Sequence, residues 1–378
     1  MSNEIPDTIE PYLHLLAEKG GSDLFFSTGT KPAVKIDGTI RPIGQATLVP
    51  GKVRKLAYGL LEADQIEHFE KHLEYNLAIS RSGLGRFRVN IFLQRGEVAM
   101  VIRFIKPEVP NAADLSLPST LNDFMEERRG LILVVGATGT GKSTTLASMI
   151  DHRNHFAPGH ILTIEDPMEY AFSHGKCIVN QREVGVDTHS YENALKEALR
   201  EAPDVIMIGE VRDRGTMGHA IAYADTGHLA LSTLHANNAH QALDRIVRFF
   251  PDDARDQLFM DLSLNLKAII SQRLIPTQDG GRVPAVEILV NTPYVADLIH
   301  AGRISDIPQA MERGEQSGMQ TFDQSLYQLF QDGKISREEA LQNASSRNNL
   351  EWMINYGDKD EGKEAAAGAD SDMPELPE

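Results

Sequence analysis

One cysteine, Cys177, stands in a chain of 378 residues. A single thiol rules out a disulfide framework and any cysteine-based zinc site. Long hydrophobic runs are missing too. No stretch of about 18 apolar residues occurs, so nothing reads as a membrane-spanning helix. The opening residues, MSNEIPDTIEPYLHLLAEKGG, carry acids where a secretory signal needs positive charge. These absences set the expectation of a cytoplasmic protein. Positive charge is also scarce, with 37 Lys and Arg against 54 Asp and Glu, a formal net charge of −17. Residues Gly357–Glu378 hold eight acids and two lysines, so they account for −6 and leave −11 on the rest. An acidic body suits DNA poorly, because phosphate neutralisation by Lys and Arg supplies most of that affinity. No nucleic-acid partner is expected.

The length suits two domains, and 41% hydrophobic with 24% charged residues is a globular composition. The first hundred residues read as a small α+β unit. PYLHLLAEKG has the pattern of a short amphipathic helix ending at glycine. SDLFFST and KPAVKIDGTIRPI read as strands, the second folded on an Asp37-Gly38 turn. A helical stretch in two pieces follows, then three strands across LAISRSGLGRFRVNIFLQRGEVAMVIRFI. Lys106–Thr120, with three prolines and little periodicity, reads as an interdomain linker. Beyond it, LILVVG, HILTIED, DVIMIGE and HLALSTLHA alternate with helical segments. That alternation predicts an α/β domain with a mostly parallel sheet. The segment 357–378 is acidic and poor in apolar residues, the composition of a disordered tail.

Gly136-Ala-Thr-Gly-Thr-Gly141-Lys142-Ser143 satisfies G-x-x-x-x-G-K-[ST], with a strand entering and a helix-prone run leaving. Glycines let backbone N–H groups converge on phosphate, and the following helix N-terminus adds partial positive charge. Gly136, Thr138, Gly139, Thr140, Gly141, Lys142, Ser143 and Thr144 are therefore the candidate nucleotide-binding residues. Lys142 is the candidate for the β/γ-phosphates and the Ser143 hydroxyl for Mg²⁺. Such a site also needs an acid near the metal and a group that orients water. PDVIMIGE ends an apolar strand in Glu210, and ILTIEDPMEY follows a second one with Glu165, Asp166 and Glu169. In a parallel sheet both ends lie at the edge where ligands bind. TGHLALSTLHA carries His228 and His235, and lone histidines of this kind are more often structural than catalytic. The 13 histidines form no evident metal cluster. No N-K-x-D motif for guanine recognition is present.

The order GATGTGKS, ILTIEDPMEY, ALKEALREAPDVIMIGEVRD and TGHLALSTLHA resembles the Walker A, Asp, Walker B and His boxes of the secretion-superfamily ATPases. GGSDLFFSTGTKPAVKIDGTIRPI, GRFRVNIF, VNQREVG and GMQTFDQSL further resemble the retraction motors of bacterial type IV pili. The resemblance runs from about Pro11 to Met353. It implies a PAS-like N-terminal domain (1–105), a linker (106–120), a RecA-like ATPase domain (121–356) and the acidic tail (357–378). It implies ATP and Mg²⁺ as cofactors and a homo-hexameric ring. In this pattern Glu169 orients or activates water, Glu210 holds Mg²⁺ through water, and His235 senses the γ-phosphate with His228 in support. Arg86, Arg88 and Arg103 become candidate arginine fingers, which stabilise charge on the transferred phosphoryl group. The implied partners are a principal retraction ATPase and an inner-membrane platform protein, with peripheral attachment at the pilus base. One stretch departs from the principal motor, whose C-terminal helix reads A-I-R-N-L-I-R-E. Here YVADLIHA retains only Leu298 and Ile299. With the acidic tail, this points to the accessory, PilU-like branch. Pilus-assembly and type II secretion ATPases usually carry a four-cysteine zinc module and a longer front end, so they fit less well. A regulatory subunit that binds ATP without hydrolysing it remains the alternative from another class, and a DNA-translocating ATPase is disfavoured by charge.

Overall fold

The computed structural model describes residues 5–105, 108–314 and 317–356. The expected disordered tail lies outside the described residues, as do Lys106 and Pro107 of the expected linker. The first hundred residues form α1 (Glu10–Glu18), β1 (Asp23–Phe26), β2 (Ala33–Ile36), β3 (Thr39–Pro42), α2 (Lys52–Tyr58), α3 (Ala63–His72), β4 (Glu74–Arg81), β5 (Gly85–Gln94) and β6 (Glu97–Ile105). They are followed by α4 (Thr120–Phe124), β7 (Gly130–Val135), α5 (Lys142–Phe156), β8 (Gly159–Glu165), β9 (Cys177–Glu183) and α6 (Tyr191–Ala198). Then come β10 (Val205–Ile208), α7 (Arg214–Asp225), β11 (Leu229–Leu234), α8 (Ala239–Phe249), α9 (Arg255–Asn265), β12 (Leu266–Pro276) and β13 (Arg282–Val290). The chain closes with α10 (Pro293–His300), α11 (Ile307–Glu312), α12 (Phe322–Gln331) and α13 (Arg337–Asn343).

These elements belong to two compact α/β units. One comprises the residues up to Val109 with Ala157–Pro203, the other Pro110–Phe156 with the residues from Asp204 onward. The first unit contains an antiparallel sheet in the order β3-β2-β1-β6-β5-β4. The β2–β3 turn uses positive φ at both Asp37 and Gly38, as a two-residue hairpin with a right-handed twist requires. Along β5, Phe87, Val89 and Ile91 are fully buried while Arg86, Arg88 and Asn90 alternate to the other face. The buried set packs with Leu13, Leu16, Phe26 and Phe69 in one core. The same unit holds β8 and β9, paired in parallel from Gly159↔Cys177 to Glu165↔Glu183.

In the second unit the strand order is β13-β12-β7-β11-β10. β12, β7, β11 and β10 run parallel, and β13 returns antiparallel beside β12. All residues of β7, β10 and β11 are buried, as befits parallel strands covered on both faces. Parallel register brings the carboxyl ends of β7, β11 and β10 to one edge: Val135 pairs with Leu234, and Ser232 with Ile208. Helix α10 buries Val295, Leu298 and Ile299, whose spacing makes one apolar helix face. No helix among the described residues is long and apolar enough to cross a membrane.

Candidate functional site

The phosphate loop leaves β7 at Gly136 and turns into α5 at Lys142. Its first glycine is dictated by crowding. A Cβ on Gly136 would sit 2.7 Å from the Gln272 carbonyl oxygen and 2.5 Å from Thr140 Oγ1. Gly139 and Gly141 have φ of 79° and 88°, the left-handed region that glycine enters without steric cost. Ala137, Thr138 and Gly139 are exposed at the tip, while Lys142 is buried and Ser143 and Thr144 are half-buried. Lys142 Nζ donates to the carbonyls of Gly136 (3.0 Å) and Ala137 (2.9 Å), which holds the ammonium under the loop. Thr140 Oγ1 donates to Ala137 O at 2.9 Å.

Sequence reasoning missed the brace beneath this loop. Gln272 is 3% exposed and accepts from Thr145 Oγ1 at 2.6 Å, while its Nε2 donates to Thr140 O at 2.8 Å. It is placed there because Ser271 of β12 pairs with Val135 of β7, so the next residue stands beside Gly136. The polar pair Ser271-Gln272 interrupting the apolar run LKAIISQRLI was the available clue. A cavity of about 590 Å³ adjoins the loop, lined in part by Gly141, Thr144, Thr145, Gln272, Arg282 and Lys334.

Glu210 stands two residues past β10, at the edge where the loop begins. Its Oε1 lies 2.9 Å from His235 Nε2 and its Oε2 accepts from Arg212 Nε at 2.7 Å. The turn before it is pinned to β11: Ser232 Oγ donates to Ile208 O and Thr233 Oγ1 to Gly209 O, each at 2.7 Å. His235 follows β11, and Arg245 Nη1 donates to its carbonyl at 2.7 Å. The start of α8 is held by Glu287, whose Oε1 accepts from Ala239 N (2.7 Å) and Ser271 Oγ (2.8 Å). Burial raises the Glu287 pKa against these donors and Arg273. The phosphate loop, Glu210 and His235 thus share one sheet edge.

His228 does not stand at this edge. It precedes β11, and its carbonyl accepts from Gly130 N at 3.0 Å, at the start of β7. The length of β11 separates it from His235, about 20 Å at the rise of a strand. Its ring lies 3.2 Å from the Tyr223 carbonyl and from Thr226 Oγ1.

The remaining candidates lie in the first unit. Glu169 is exposed on the loop after β8. At the root of that loop Glu165 is 7% exposed, and burial raises its pKa to about 7. Thr163, Gln181 and the Glu169 backbone oppose that shift by donating to the charged form, whereas Glu183 reinforces it. Glu183 pairs with Glu165 in register and is 3% exposed. Burial raises its pKa too, opposed by Arg86 and then Arg88. Arg86 Nη2 lies 3.4 Å from Asp187 Oδ2 and 3.7 Å from Glu183 Oε2. Arg103 pairs in register with Arg88 and Asp23, and its Nε donates to the buried Asp23 at 2.7 Å. Arg86 and Arg103 are therefore engaged in ion pairs within the unit.

The donor set suits a hard cation held mainly by something other than protein. Among the described residues no cluster of three His, Cys, Asp or Glu could cage a metal. Mg²⁺ commonly takes one or two protein oxygens, with water and substrate phosphate completing its octahedron. The Ser143 hydroxyl and the Glu210 carboxylate offer such oxygens.

Comparison with known proteins places this geometry in a lineage. Residues 18–287 match the family described as Type II/IV secretion system protein. The type IV pilus ATPase PilU of Pseudomonas aeruginosa is 53% identical over 349 residues, covering 92% of this chain and 91% of that one. The type IV pilus retraction ATPase PilT of the same organism is 40% identical, covering 90% and 99%. The crystal structure of the pilus retraction motor PilT with bound ADP superposes with a TM-score of 0.84 at 41% identity, covering 93% of this chain and all of that one. The chain therefore belongs to the type II/IV secretion ATPase family, in the PilT/PilU group of type IV pilus ATPases.

Proposed function

We propose that this chain is an ATP-hydrolysing subunit of a hexameric motor for type IV pilus retraction, accessory to a principal retraction ATPase. The observation that carries the hydrolytic part is the shared sheet edge. A glycine loop with a buried lysine stands beside an acid that a histidine and an arginine hold in place. The loop N–H groups, Lys142 and the start of α5 take the phosphates. The adjoining cavity has the size of a small-molecule site and takes the nucleoside. Ser143 and Glu210 would hold Mg²⁺, which when bound would supply positive charge against the phosphates. His235, bonded to Glu210, senses the γ-phosphate. Glu169 orients the attacking water, and Arg88 is the least encumbered arginine for the phosphoryl charge.

In this proposal residues 1–105 form a PAS-like domain and 121–356 a RecA-like motor domain. The motor works at the cytoplasmic face of the inner membrane on a platform protein. The accessory role is supported by the 53% identity to PilU and by YVADLIHA in α10. Phosphate release by purified protein tests the enzyme. Lys142→Ala is expected to lower it by about 10²-fold or more, since one well-placed donor to developing charge contributes on that scale. Equal release from both proteins would leave a regulatory ATP-binding subunit instead. Pilus retraction in cells carrying Lys142→Ala, with and without the principal motor, tests the accessory role. A defect confined to cells lacking or loading that motor is expected.

A further inference from the structure

The loop between β8 and β9 carries the one exposed acid assigned to water, and it is held in an unusually specific way. Glu169 stands between Met168, which is 2% exposed, and Tyr170. The amide of Gln181, on β9, reaches across to this loop with all its polar atoms engaged. Its Oε1 accepts from Phe172 N at 2.8 Å, and its Nε2 donates to Tyr170 O at 2.9 Å and to Glu165 Oε1 at 3.1 Å. These partners admit one amide orientation. Reversal would set an NH₂ group against the Phe172 N–H and an oxygen against the Tyr170 carbonyl. Glu165 is oriented in turn by Thr163 Oγ1, which donates to Oε1 at 2.7 Å. Farther along, His174 Nδ1 accepts from Val179 N at 3.1 Å and closes the return into β9.

We infer that Gln181, oriented by Glu165, is a positioning residue that sets the backbone of Tyr170–Phe172 and thereby aims the Glu169 carboxylate at the attacking water. This rests on the assignment of Glu169 as the water-orienting group. An exposed glutamate on a free loop samples many directions. Fixing the main chain on its C-terminal side leaves only its side-chain torsions to settle. A group misplaced by about 1 Å can cost 10²-fold in rate, so a clamp on main-chain atoms acts on turnover and not on nucleotide affinity. The three hydrogen bonds of the Gln181 amide all go to residues of the first unit.

The test is a double-mutant cycle on the full chain, reading steady-state ATP hydrolysis together with ADP binding. Gln181→Leu keeps the volume and removes all three hydrogen bonds. It is expected to lower kcat by roughly 10–100-fold while ATP KM and ADP affinity stay at wild-type values. Glu169→Gln is expected to lower kcat at least as far, and adding Gln181→Leu to it should cost nothing more, because the clamp acts only through Glu169. Wild-type kcat in Gln181→Leu would overturn the inference. So would losses that multiply in the double variant, or that appear in ADP affinity and thermal stability instead of turnover. Wild-type kcat in Glu169→Gln is a separate outcome, which removes the role of Glu169 itself and the positioning role with it. Should Gln181→Leu fail to fold, Gln181→Glu carries the same cycle, since it retains the shape and loses both donations.

Discussion

Glu165 and His228 show opposite relations between a residue's identity and its position. Glu165 is an acid beside an apolar strand, legible as such, but its burial is a tertiary fact. Its pKa in the fold, about 7, lies above the ordinary glutamate value. The native state therefore holds a proton that the unfolded chain releases from about pH 4 upward. Its contribution to stability is fully present at acid pH and is lost as pH rises through about 7. Across that window the loss is on the order of 3 kcal/mol. Glu165→Gln is expected to lose less thermal stability than wild type between pH 5 and pH 8. Parallel loss in both proteins would place the titration elsewhere. His228 and His235 flank one short strand motif, and the family resemblance implies a common site for them. The strand between them puts them at opposite edges of the sheet, a separation that their closeness in sequence does not show. The arginines follow the same lesson. A two-residue spacing puts Arg86 and Arg88 on one strand face, but only the fold shows that Arg86 meets Glu183 and Asp187 and that Arg103 meets Asp23.

Among the elements, β12 joins functions that look unrelated in sequence. Consecutive side chains on a strand point to opposite faces. Gln272 braces the phosphate loop, while Ser271 donates to Glu287, which holds the start of α8 after His235. The loop glycines can be ranked on this basis. Gly136→Ala drives a methyl group against the backbone carbonyl of Gln272, which cannot move without shifting β12. ADP affinity is expected to fall by about 10-fold or more, on the scale of 1–3 kcal/mol for overpacking a tight site. Gly139→Ala meets no atom within 4 Å and carries only the left-handed backbone cost of roughly 1–2 kcal/mol. Calorimetric titration with ADP should therefore show the larger loss at position 136. A reversed order would show that backbone conformation, and not crowding, selects these glycines. Most helices and strands were legible, because periodicity and turn residues act locally. The parallel partners were not, because strands separated by dozens of residues leave no local trace of their register.

At the scale of the whole molecule, charge weighs against a nucleic-acid translocase. A net charge of −17 gives the chain an overall acidic field, which disfavours DNA binding. Duplex DNA at low salt is expected neither to bind in a mobility-shift assay nor to raise phosphate release. Stimulation by DNA would revive the translocase alternative. The sequence by itself determined the α/β class, the phosphate loop and the family boxes, since each depends on residues within one strand–turn–helix segment. Hydrophobic period and glycine placement act over that same short range. The tertiary structure decided which acid, histidine and arginine face one another, and that Gln181 and Gln272 brace two separate loops. Those relations arise from strand register and burial, which bring together side chains as far apart as Thr145 and Gln272.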